Sequence, residues 1–111
     1  MIEIEVDTIQ QVTVVKLTGE IDANSAAVVQ QKVLPLSVPG CKIILDMSRV
    51  AYMSSAGLRM LLSVYRQISG NKGRIVLVGL SEELKDTMSM TGFLGFFTVH
   101  DLLETGLQAF R

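Results

Sequence analysis

Two adjacent serines, Ser54 and Ser55, stand between an apolar run of strand length and an amphipathic helical pattern. The run covers residues 43–47, and its lack of alternation is typical of a strand buried on both faces. Beyond the serines, apolar residues recur at helical spacing, namely Leu58, Leu61, Leu62, Tyr65 and Ile68. A hydroxyl in the first helical turn lies among backbone N–H groups without intrahelical partners. The pattern therefore predicts a position where a phosphate is tolerated.

The serine pair has a structural and a functional interpretation. One serine is enough to cap a helix, and caps are the usual role of serine at a strand-to-helix junction. Here a second serine lies inside the first turn, followed by Ala56 and Gly57. Glycine inside a helix costs about 1 kcal/mol relative to alanine. We interpret these small residues as an open surface around a hydroxyl that another protein can approach.

Length and composition indicate the broad class of protein. A chain of 111 residues predicts one domain, residues 1–111. Ten basic and eleven acidic side chains, with no basic cluster, argue against direct nucleic-acid binding. The lone Cys41 predicts neither a disulfide framework nor a metal site. Without a secretory signal or an apolar run of about 18 residues, we expect a cytoplasmic protein that does not insert into membranes.

Patterns along the rest of the chain predict strands alternating with helices after an opening hairpin. Gln10 and Gln11 are the predicted hairpin turn, and residues 96–99 are the predicted last strand. Asp101 with Glu104 has the spacing of a capping box for the final helix. The element order β-β-α-β-α-β-α-β-α predicts an α/β fold. We expect a mixed, mostly parallel sheet of about five strands with about four helices.

Catalytic interpretations find little support in the sequence. His100 is the only histidine, and nothing in the sequence brings it to Ser55. The Gly-x-Ser-x-Gly pattern of a nucleophile elbow is absent, because Met53 stands two residues before Ser55. No phosphate-binding glycine loop is present either. We therefore predict a protein that is not an enzyme and that uses no cofactor or metal.

Three stretches resemble the signatures of bacterial anti-sigma factor antagonists, which are single-domain proteins of the STAS family. They are residues 17–22 (LTGEID), 44–48 (ILDMS) and 52–58 (YMSSAGL). The resemblance spans essentially the whole chain and implies a STAS-type fold. It also implies that Ser55 is phosphorylated by a partner that is both anti-sigma factor and serine kinase, with Ser54 as the alternative. Ser54 occupies a site where the family often has aspartate.

The resemblance implies a partner switch. The unphosphorylated protein binds the anti-sigma factor and thereby releases a sigma factor, a phosphate on the serine separates the two proteins, and a serine phosphatase resets the switch. Asp22 is expected beside the serine, as a helix N-cap, as part of the partner surface, or both. The predicted partner-binding residues are Asp22, Asn24, Ser54, Ser55, Ala56 and Gly57.

Two alternatives belong to other classes of protein. One is a STAS subunit of a membrane transporter complex, which would have a similar fold and a serine that need not be modified. The other is a small serine hydrolase, for which the sequence offers no base near Ser55. The sequence does not predict the oligomeric state.

Overall fold

A computed structural model describes residues 2–111, which form one five-stranded sheet in the order β1-β2-β3-β4-β5. Strands β1 (Glu3–Ile9) and β2 (Val12–Ile21) pair antiparallel. Their turn is Gln10 and Gln11, as predicted, and both adopt positive φ angles of 53° and 68°. Strands β3 (Lys42–Met53), β4 (Arg74–Val78) and β5 (Thr98–His100) add in parallel. The predicted mixed, mostly parallel sheet is confirmed.

Four helices cover the sheet unequally. Helices α1 (Ala23–Val33), α2 (Ser55–Gly70) and α3 (Glu82–Met90) pack on one face and enclose the main aliphatic core. The shorter α4 (Leu103–Gln108) covers a smaller cluster on the opposite face. The predicted order of elements is confirmed. Because α4 spans only part of its face, the polar half of that face remains open, with Glu5, Lys16, Asp46 and Arg49 lining a shallow cleft.

Strand β3 is longer than its apolar run predicted. The apolar residues between 43 and 47 are buried, but pairing with β2 continues to Met53. The register between β2 and β3 shifts twice, between Lys16 and Thr18 and between Gly19 and Glu20. Such bulges let polar residues enter a strand without facing the core. The prediction that the strand ends at Met47 was therefore wrong.

Two further local predictions were wrong near the C-terminus. The N-cap of α4 is Leu102, without a side-chain hydrogen bond, so Asp101 and Glu104 form no capping box. The Asp101 carboxylate instead contacts Lys85 Nζ at 2.8 Å. The last strand begins at Thr98, because Phe96 belongs to a 3-10 turn, Phe93–Phe96.

Candidate functional site

The ends of β2 and β3 bring the two predicted loops together. Ile21 and Met53 are partners in the parallel pairing, and the Ser54 N–H donates to the Ile21 carbonyl oxygen at 2.8 Å. Asp22 directly follows Ile21 and starts α1, whereas Ser54 directly follows Met53 and starts α2. Asp22 and the serine pair therefore leave neighbouring strands at the same edge of the sheet.

The two serines do different things. Ser54 is the N-cap of α2, is half-buried, and its hydroxyl accepts the Gly57 N–H at 3.3 Å. Ser55 is the first residue of the helix and is exposed. Within residues 2–111, its hydroxyl has no hydrogen-bond partner. Ser54 therefore has the structural role of a helix cap, whereas the hydroxyl of Ser55 is not used for capping.

Gly57 has a different role from the one that we inferred. It is buried, and a Cβ there would lie 2.4 Å from Met53 Cγ and 2.9 Å from Ile21 Cγ2. The glycine lets the first turn of α2 press against the ends of β2 and β3. The interpretation of Gly57 as an open surface was therefore wrong, while Ser55 and the half-buried Ala56 do face outward.

Gly57→Ala is expected to destabilise the protein by about 1 kcal/mol, because the overpacking cost exceeds the gain in helix propensity. Gly70→Ala is the matched control, since Gly70 is also in α2 but has no atom within 4 Å of an added Cβ. We expect it to be neutral or slightly stabilising. Urea unfolding of both variants measures the difference, and equal stabilities would contradict the packing role.

Asp22 is held by a reciprocal capping box. Its Oδ1 accepts the Ser25 N–H at 2.9 Å, and Ser25 Oγ accepts the Asp22 N–H at 2.8 Å. The hydrogen bond from the Ser25 backbone is the main reason why the pKa of Asp22 is lowered. Asp22 and Asn24 are both exposed. Asp22 is therefore a cap and also an exposed anion beside the serines at neutral pH.

Two exposed side chains near the site were missing from our sequence-based predictions. Tyr52, on the last stretch of β3, is 52% exposed. Arg59, one helical turn after Ser55, is also exposed. The four-residue spacing between Ser55 and Arg59 was visible in the sequence and indicates a shared helix face once the helix start is known.

The structure separates the only histidine from the serines. His100 pairs with Val78, which pairs with Asp46, whereas Met53 lies seven residues farther along β3. On the order of 20 Å of strand therefore separates His100 from the serine pair. Among residues 2–111, no group of three or more His, Cys, Asp or Glu side chains is placed to hold a metal ion. His100 is therefore not placed to act as a base for Ser55.

No helix in the described part of the chain has both the length and the apolar character needed to cross a membrane.

The sequence pattern of the STAS domain matches residues 3–106. An anti-sigma-B factor antagonist from Bacillus subtilis (strain 168) is 31% identical over 94 residues, which are 85% of this chain and 86% of the relative. The crystal structure of an anti-sigma factor antagonist from Mycobacterium paratuberculosis is 27% identical, with a TM-score of 0.84, and the match covers 98% of this chain and 93% of that chain. The chain belongs to the STAS domain family. Within that family it is similar to bacterial anti-sigma factor antagonists.

More distant structures share the fold alone. The Bacillus cell fate determinant SpoIIAA in the phosphorylated form has a TM-score of 0.74 at 19% identity, over 98% of this chain and 100% of that chain. A sulfate transporter family protein from Wolinella succinogenes has a TM-score of 0.79, also at 19% identity, over 93% of this chain and 87% of that chain. Because a cell fate determinant and a sulfate transporter family protein share this fold, the fold by itself does not indicate the function.

Proposed function

We propose that this chain, as a single STAS domain over residues 1–111, is a cytoplasmic anti-sigma factor antagonist controlled by phosphorylation of Ser55. The observation that carries the proposal is the exposed Ser55 hydroxyl, which has no hydrogen-bond partner within the described residues and stands on the first turn of a helix capped by Ser54. The similarity to anti-sigma-B factor antagonists supports the partner class. Unphosphorylated protein binds the anti-sigma factor, and a sigma factor is released.

The chemistry of the switch is local. A phosphate adds nearly two negative charges and three acceptor oxygens to a small, neutral position. The unpaired N–H groups of the first turn of α2 tolerate this charge, and no side-chain hydrogen bond of Ser55 within residues 2–111 has to break. A partner surface shaped around a bare hydroxyl meets a steric and electrostatic clash. Phosphorylation therefore dissociates the complex without unfolding the antagonist.

The partner surface that we propose surrounds Ser55. Asp22 and Asn24 are exposed at the start of α1, and Ser54 and Ala56 are half-buried beside Ser55. Gly57 contributes indirectly, because its close packing against Met53 and Ile21 fixes the position of the first turn of α2, which carries Ser55. The proposed partners are an anti-sigma factor with serine kinase activity and a serine phosphatase that restores the hydroxyl.

Incubation with the cognate kinase and ATP is expected to place one phosphate on Ser55, as read by peptide mass spectrometry. Ser55→Ala should remove the phosphate. Ser54→Ala should retain it, with a loss of stability of about 1 kcal/mol from the missing cap. Phosphate on Ser54 in the parent protein would transfer the switch to that residue. An unmodified pair would count against the proposal and in favour of a transporter-associated STAS subunit.

A further inference from the structure

Among residues 2–111 of the unphosphorylated protein, Arg59 is a cation without a partner. Its side chain is exposed on α2, and within residues 2–111 it takes part in no salt bridge or hydrogen bond. Helix α2 contains no aspartate or glutamate, and neither does α1, which packs beside it. Arg59 therefore has no acidic side chain within either helix with which to form an ion pair.

Arg59 stands four residues after Ser55 on the same face of the helix. Side chains at this spacing are neighbours, with their Cβ atoms about 5–6 Å apart. The groove that Arg59 borders is lined partly by small residues, among them Ala23 and Ala27 of α1 and Ala56 of α2. Of the larger residues in the groove, Met60 is buried, and Gln30 donates a hydrogen bond to Ser63 Oγ at 3.1 Å, eight residues beyond Ser55 on α2.

We propose that Arg59 is the intramolecular receptor for a phosphate on Ser55. The guanidinium fork donates two hydrogen bonds to phosphate oxygens and holds the group against the first turn of α2. An anion that precedes a cation by four residues is the favourable order along a helix. This inference rests on the proposed function, because it takes Ser55 as the modified residue. It adds that, in the phosphorylated form, Arg59 holds the phosphate in one position against α2, an interaction that we call the clamp.

The other charges near this edge of the sheet are few. Asp22 at the start of α1 and Glu20 at the end of β2 are anions that oppose a phosphate. Arg66 lies on the outward side of α2 with Arg59, but it is eleven residues, or about 16 Å, from Ser55. Lys32 is in the last turn of α1. Within the part of the chain that the structure describes, Arg59 is thus the cation placed to offset the repulsion from Asp22 and Glu20.

The test uses full-length protein with phosphoserine installed at position 55 during translation, so that no kinase is needed. Parent, Arg59→Gln and Arg66→Gln are compared with and without the phosphate. In a ³¹P NMR titration, we expect the phosphate of the parent to lose its second proton about 0.3 pH unit below that of Arg59→Gln. Arg66→Gln should titrate like the parent, because it lowers the net charge equally but lies out of reach.

Thermal unfolding provides a second readout. The phosphorylated parent should melt about 1–2 °C above phosphorylated Arg59→Gln, whereas the unphosphorylated pair should melt together.

Equal phosphate titrations in parent and Arg59→Gln would overturn the clamp, and so would equal shifts in both arginine variants. If Arg59→Gln instead weakened partner binding of the unphosphorylated protein while leaving the phosphate titration unchanged, Arg59 would be a partner contact and the clamp would be wrong. If the kinase did not modify Ser55, the proposed function would be wrong. The titration would still test the role of Arg59, because its phosphoserine is installed during translation.

Discussion

Ser55→Asp is expected to lower the affinity for the anti-sigma factor by about 100-fold, which corresponds to about 2.7 kcal/mol of binding free energy. The fold should remain intact, with a melting temperature within about 2 °C of the parent. The reason is the position of Ser55, which is exposed, forms no side-chain hydrogen bond within residues 2–111, and begins α2. A carboxylate in the first helical turn is favourable for the helix dipole. Titration calorimetry and thermal unfolding measure the two quantities.

Two controls separate a local effect of the carboxylate from a general effect of charge. Gln67→Glu adds the same negative charge to α2 at an exposed residue twelve positions farther along, and we expect it to bind like the parent. Ser55→Ala removes the hydroxyl without adding charge, and it should bind constitutively even in the presence of kinase and ATP. Unchanged affinity of Ser55→Asp, or loss of its fold, would show that the proposed interface is wrong.

Gly79→Ala is expected to cost about 3 kcal/mol of folding free energy. Gly79 directly follows β4 with a φ of +74°, a conformation that costs a residue with a Cβ about 1–2 kcal/mol. In addition, the new Cβ would lie 2.9 Å from both Ser48 N and Ser48 Cα, which are backbone atoms of β3. Since Ser48 N–H and its hydroxyl both bind Asp46 Oδ1, at 3.0 Å and 2.7 Å, that part of β3 is held in place. Overpacking therefore adds to the backbone strain.

Gly40→Ala is the matched control for Gly79→Ala. Gly40 has nearly the same φ, +73°, but no atom lies within 4 Å of an added Cβ. It should cost only the conformational part, about 1–2 kcal/mol. Urea unfolding of the two variants isolates the contact with β3. If both variants lost the same stability, the close contact between position 79 and the backbone of β3 at Ser48 would contribute nothing, and the packing argument would be wrong.

Local sequence signals predicted those parts of the structure in which a residue and its immediate neighbours decide the conformation. Ser81 caps α3 by accepting the Leu84 N–H at 3.1 Å, the usual role of a serine directly before a helix. Gly92 follows the end of the same helix in a left-handed conformation with a φ of 79°, which is typical of glycine at that position. The Asp101 prediction failed because a distant residue, Lys85, competes for its carboxylate. Hydrogen bonds between residues that are distant in the sequence cannot be predicted from the spacing of neighbouring residues.

The sequence by itself determined the class of fold and the place of the site, because hydrophobic periodicity and the serine pair at a strand-to-helix junction are local patterns. Only the tertiary structure decided which serine caps and which one is exposed. That choice depends on where β3 ends, and its end is set by pairing with β2 up to Ile21 and Met53. The same pairing brings the first turn of α2 against the ends of β2 and β3 and turns Gly57 inward. Register between strands distant in sequence is a property of the folded sheet, which no local pattern of residues contains.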